Sequence, residues 1–412
     1  MTTQGTWPEP LDAPSRPKDP FPFRLIIPWG LVGVVGLALL IGLSIYFDQR
    51  ASKQIAFVDS GGVLKLIRAD GQGEKTVTSA IVKVTGSPQW SPDGRLLAAV
   101  DQQGNGLILA QVGAEIPRRI ALSSSQIVGL ATDAWSPDGQ VVALMEGSGP
   151  SSAVRLLPIS SSGILSDPTP IDTRFPVDWH PRNNELLFTG VSVTATLQIL
   201  STDGRVRDLL PQDQRTTHWA GAWSSDGTRV AYAASNSAQE HTWGDIWLAS
   251  ADGSNAQLLV AGQNGLPIWA PNGGSLVYSS LVTKTGDIDL YLVSSSGGTP
   301  VRIGTGVPLE WYAQRGVQSF VAWSPDGNKT FFQSYNKSNQ QLTIYVARAD
   351  GTNAQPVTSP LSTGTSALSA QWAPTSRNLL VSRNGTSLML YTVDRETTPR
   401  NLASGGFPAW QP

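Results

Sequence analysis

The chain has 412 residues, 29 basic against 31 acidic side chains for a net charge of -2, and no cysteine. That balance leaves no basic surplus to release counterions from a phosphate backbone and argues against a nucleic-acid partner. The missing thiols exclude disulfides, cysteine-ligated zinc, iron–sulfur centres and thiol catalysis.

Residues 1–24 are polar and rich in proline, with too little apolar surface to order themselves, and read as a short cytoplasmic tail. Residues 25–47, LIIPWGLVGVVGLALLIGLSIYF, carry no charge. As a helix they would span ~34 Å, enough for the ~30 Å hydrocarbon core. Trp29 and Tyr46 lie near its two ends, where interfacial aromatics belong, and Pro28 occupies the first turn. A cleaved secretory signal is the alternative, but the run exceeds its usual apolar length and SIYFDQRAS offers no clean small-residue cleavage site. The expectation is one transmembrane helix with the N-terminus inside, a linker over 48–53, and everything from 54 to 412 on the extracytoplasmic side.

A repeat fills that remainder. Trp90, Trp135 and Trp323 each open WSPDG. Trp179 opens WHPRN, Trp223 WSSDG, Trp269 WAPNG, Trp372 WAPTS and Trp410 WQP. The spacings are 45, 44, 44, 46, 54, 49 and 38 residues, near the length of a four-stranded propeller blade. An apolar run follows each of the first seven motifs (RLLAAV, QVVALM, ELLFTG, RVAYAA, SLVYSS, KTFFQS, NLLVSR), then a second such as DIWLASADG, and often a short third such as VRDLL. Each unit therefore reads as strands A, B, C and D, with tryptophan on A. Asp-Gly and Asn-Gly pairs, such as Asp93-Gly94 and Asp252-Gly253, supply the tight A–B and C–D turns. These recurring aspartates are turn formers rather than catalytic carboxylates.

The two ends complement each other. Residues 54–78 read as B, C and D without an A, and GGFPAWQP reads as an A without a B. Joined, they complete one blade and remove exposed sheet edges. The expected fold is an all-β, eight-bladed propeller, with seven blades as the alternative should an imperfect motif be absorbed elsewhere.

The W-S-P-D-G-x-x-[IVL]-[AV]-[FYV] pattern, repeated across residues 54–412, resembles the WD-like propeller repeat of the TolB-type family and the propeller domains of prolyl-oligopeptidase-type enzymes. The first resemblance implies periplasmic or cell-surface scaffolding and protein binding. The chain departs from the TolB type in its expected anchor and in lacking room for a separate N-terminal α/β domain.

Neither a G-x-S-x-G elbow, a P-loop, an H-E-x-x-H motif nor an acidic calcium loop is present, so no catalytic residue, cofactor or metal is expected. Asp287 and Asp289 are too sparse for a cation loop and read as polar residues at a strand edge. The D–A connectors and B–C loops share one face of a propeller, and three long ones (211–220, 235–244, 304–320) concentrate aromatic and basic residues. Arg215, His218, Trp219, His241, Trp243, Trp311, Tyr312 and Arg315 form the candidate partner-binding set, matching the residue types enriched at hot spots. The expected function is a membrane-anchored binding or scaffold module for other membrane or extracytoplasmic proteins. A carbohydrate or cell-wall glycan binder is one alternative. A channel-located lyase or hydrolase using residues such as Asp178 and His180 is another.

Overall fold

A computed structural model describes residues 53–412 apart from 80–81, 115–116, 123–126, 148–152, 161–162, 165–169, 192–195, 211–216, 236–242, 310–319, 363–367, 384 and 395–397. The expected tail, the expected membrane helix and all but the last residue of the linker lie outside the described residues. Among those described, no helix is long and apolar enough to cross a membrane. The elements formed by the described residues are strands, from Gln54–Val58 to Gly406–Trp410.

The strands follow the A–B–C–D order read from the repeat. Val84–Trp90, Leu96–Asp101, Gly106–Gln111 and Arg118–Ala121 form one antiparallel meander, and Leu368–Trp372, Asn378–Arg383, Ser387–Thr392 and Arg400–Ala403 form another. One sheet has seven strands, because the 13-residue strand Gln257–Trp269 serves as the D strand of one unit and the A strand of the next. Each of the eight motif tryptophans ends its A strand.

The termini meet as the sequence requires. Gly406–Trp410 pairs antiparallel with Gln54–Val58, opposing Trp410 to Ile55 and Ala409 to Ala56. Gln411 acts as a clasp across this junction. Its side-chain oxygen accepts from Gln54 N at 3.1 Å, and its amide nitrogen donates to the Gly94 carbonyl of the next unit at 2.9 Å.

Burial repeats with the sheets. B and C strands alternate so that each apolar face packs on a neighbouring unit, as in the cluster of Trp90, Ala409, Val58, Leu97 and Ile108. The tryptophan is the recurrent wedge: Trp90, Trp135, Trp179, Trp223, Trp269, Trp323 and Trp372 are buried, and Trp410 is half-buried. Five indoles also donate to the preceding unit, each to the carbonyl just before that unit's own tryptophan. The pairs are Trp90 to Ala409, Trp135 to Gln89, Trp269 to Ala222, Trp323 to Ile268 and Trp372 to Ala322, at 3.0–3.2 Å.

In the units of Trp90, Trp135, Trp223 and Trp323 the turn after the tryptophan is built by serine and aspartate together. In Ser224-Ser225-Asp226-Gly227, the Ser224 hydroxyl donates to Asp226 Oδ1 at 2.6 Å and accepts from Arg229 N at 2.9 Å. Asp226 also accepts from Thr228 N at 3.0 Å. These bonds, led by that from Ser224, hold the Asp226 carboxyl down at about 2. In the C–D turn, Gly253 has φ +83°, and a Cβ there would lie 2.0 Å from the Leu209 carbonyl oxygen, so only glycine fits.

A chain ending at Gly405 loses the A strand that closes the first sheet and leaves Gln54–Val58 as a bare edge. Its thermal midpoint is expected to fall by about 10 °C or more. An unchanged midpoint in a calorimetric scan contradicts the closure described here.

Candidate functional site

Five of the eight residues expected to bind a partner lie outside the described residues: Arg215, His241, Trp311, Tyr312 and Arg315. The other three are placed differently from a loop cluster. Trp219 belongs to the strand Thr217–Trp223 and is 7% exposed, in a core with Ala231, Ile246 and Tyr278. Trp243 is also 7% exposed, in a separate core with Ile288, Phe320 and Trp323. Both rings pack in cores that tie connectors to the sheets. His218 is half-buried and sets its ring edge-on to Tyr232, centroids 5.6 Å apart.

His180 is likewise structural. Its Nδ1 accepts from Arg182 N at 3.1 Å, so Nε2 carries the proton and donates to the Gly227 carbonyl at 3.1 Å. Its ring packs edge-on against Trp223, centroids 4.7 Å apart. In WHPRN, histidine thus stands where four of the other motifs have serine and is an acceptor that shapes the turn.

The A strands line the middle of the assembly. Asp178 lies there, one residue before Trp179, and its carboxylate accepts from Trp223 N in the next unit at 2.6 Å. Gln89, one residue before Trp90, bridges the same way, accepting from Ala134 N and donating to the Ala131 carbonyl. Asp133, two residues before Trp135, is the acidic neighbour of Asp178 across the intervening seam. Asp178 is half-buried and Asp133 exposed, although protein atoms crowd around both. This juxtaposition was missed by sequence reasoning, although two acidic residues within two positions of successive seam tryptophans were a visible signal. Among the described residues, no group of three or more acidic or histidine side chains could hold a metal ion.

The A strands also share an irregularity. Ala220, Leu266 and Phe407, each three residues before its tryptophan, have φ of 53°, 46° and 51°. Register shifts in the pairing to strand B accompany all three. They are β-bulges that bend the A strand. Ala220 is buried and Leu266 half-buried, but Phe407 is 48% exposed. Phe407 follows a D–A connector and therefore opens on the same face as the B–C loops.

A family model described as the TolB β-propeller domain matches residues 191–411, more than half of the chain. The chain belongs to that family. No curated protein matches it. Among solved structures, a dihydro-heme d1 dehydrogenase, NirN, in complex with DHE has a TM-score of 0.56 at 13% identity, covering 86% of this chain and 74% of its own. An oligogalacturonate lyase in complex with manganese has a TM-score of 0.51 at 13% identity, covering 84% and 97%. A putative TolB from Agrobacterium tumefaciens shares 19% identity over 61% of this chain and 88% of its own, with a TM-score of 0.38. At these identities the likeness is one of fold.

In this TolB-family propeller, burial and the Asp133 charge together push Asp178 up to about 8, against the opposing bond from Trp223 N. The folded chain thus holds a proton that the unfolded chain releases above about pH 4. The stability from that proton is full below about pH 4 and is lost as pH rises toward 8. Asp178→Asn keeps an oxygen for Trp223 N and cannot ionise, so its stability relative to the unaltered chain is expected to improve from pH 5 to pH 8 in denaturant titrations. A difference independent of pH contradicts this assignment.

Proposed function

We propose that residues 54–412 close into a ring of eight blades and act as a non-catalytic, protein-binding scaffold. In this reading residues 25–47 hold the ring on the extracytoplasmic side of a bacterial cytoplasmic membrane, with the N-terminus inside, as an accessory subunit of a larger membrane complex. Membership of the TolB propeller family supports the binding role. The uncharged 23-residue run supports the tether. The blade count rests on the eight tryptophan-ended A strands, counting the long shared strand as two blades' worth of sheet.

The observation that carries the binding role is Phe407. The backbone there is left-handed, a conformation that costs a side-chain-bearing residue ~1–2 kcal/mol, and Pro408 follows, which further restricts it. At the corresponding bulges of two other units Ala220 is buried and Leu266 half-buried; here an aromatic ring is presented to solvent. A strained, exposed aromatic at the mouth of a rigid scaffold is the signature of a contact residue. Leu309 and Val191, 38% and 37% exposed, add apolar surface on the same face.

Phe407→Asn suits the left-handed backbone and is expected to leave the melting temperature unchanged or raised, while weakening partner capture about tenfold. A photo-crosslinker at 407 in native membranes should trap a protein, whereas one at Asp252, in a C–D turn on the opposite face, should not. Equal labelling from both positions, or none from 407, overturns the proposal.

A further inference from the structure

A cleft of about 520 Å³ opens between two successive units, within the ~300–1,000 Å³ usual for small-ligand sites. One wall is the D strand Val301–Pro308, contributing Thr305 and Gly306; the other is the hairpin of Lys329–Asn336 and Gln341–Arg348. The register explains why a cleft forms here. Phe332 opposes Tyr345, Ser334 opposes Thr343 and Asn336 opposes Gln341, so these six share one face of the hairpin. Near the A–B end that face packs through Phe332 and Ala347 into the interblade core. Toward the B–C turn it becomes polar, and the two units are bridged there by Ser334 with Thr305 and by Lys337 with Asp287.

The lining has unused hydrogen-bonding capacity. Thr343 is 9% exposed, lines the cleft, and its hydroxyl has no hydrogen-bond partner. The half-buried Tyr345 also faces the cleft with an unbonded phenol, its ring stacked on Phe332 at 5.5 Å. A ligand oxygen would take the place of water on these two hydroxyls. Asn336 and Gln341 add amide groups at the rim. The single charged lining residue, Lys337, is already neutralised by Asp287 at 2.7 Å. Asp287, which opens the strand Asp287–Ser294, and its neighbour Asp289 are buried and partnered, Asp289 by Gly306 N and Arg302.

We propose that this cleft binds a neutral saccharide, with Thr343 and Tyr345 hydrogen-bonding its hydroxyls. A hydroxyl-rich ligand matches the neutral donors and acceptors, one aromatic ring suits a sugar's apolar edge, and the lining provides neither an apolar pocket for a peptide anchor nor an unpaired charge for an anion. This site is independent of the protein-binding role carried by Phe407.

The test titrates the full-length protein with maltotriose, cellotriose, mannotriose, triacetylchitotriose and trigalacturonic acid, read by calorimetry. At least one neutral trisaccharide is expected to bind. Thr343→Val and Tyr345→Phe, which preserve shape and the Phe332 stack, should each weaken it about fivefold, and together more than about twentyfold, with near-ultraviolet dichroism unchanged. Absence of binding by every neutral probe at about 10 mM overturns the proposal. So does affinity retained in the double variant, or binding confined to trigalacturonic acid and abolished by Lys337→Met.

Discussion

The indole seam is the constraint on which the rest of the molecule depends. A four-stranded meander is too small to hide both its faces, so each unit is stable only against its neighbours. One tryptophan per A strand meets that need twice. It buries a large ring between units, and its N–H finds the carbonyl beside the preceding tryptophan. In four units the Ser–Asp turn that follows sets the direction of strand B, so spacing and orientation there come from the same five residues.

The seam is uneven. Indole nitrogens of Trp179, Trp223 and Trp410 are buried without a partner. The first two flank the unit opened by WHPRN, where histidine takes the place of serine and the Asp178 carboxylate bonds Trp223 N instead. That unit thus lacks the indole bond at both seams and is joined instead by Asp178 and His180 to the next unit and by Asn184 to Asp138 of the preceding one. Local opening is expected to begin where such bonds are fewest. The third unpartnered indole lies in the closing strand, where Gln411 supplies other bonds across the junction.

Architecture was legible because it is local chemistry repeated. Tryptophan period, Asx-Gly turns and strand-length apolar runs each act within a few residues of chain, and the complementary ends needed only to be matched. Site residues were less legible because burial is decided by other units. Trp219 and Trp243 look like loop aromatics in sequence, yet one extends a strand and both fill cores. Conversely, Phe407 sits in a strand pattern but is presented to solvent by a bulge that no single motif announces. The alternation of Gln341, Thr343 and Tyr345 was visible, but its meaning required knowing which residues of the neighbouring D strand border that face.

Replacing each seam tryptophan in turn by phenylalanine tests the account most directly. The change keeps much of the ring and removes the N–H. At Trp90, Trp135, Trp269, Trp323 and Trp372 it leaves a buried carbonyl short of a donor, whereas at Trp179 and Trp223 it removes a donor that had no acceptor. Denaturant unfolding is expected to show the first group losing about 1 kcal/mol more than the second. Equal losses in the two groups would contradict a ring held together by these bonds.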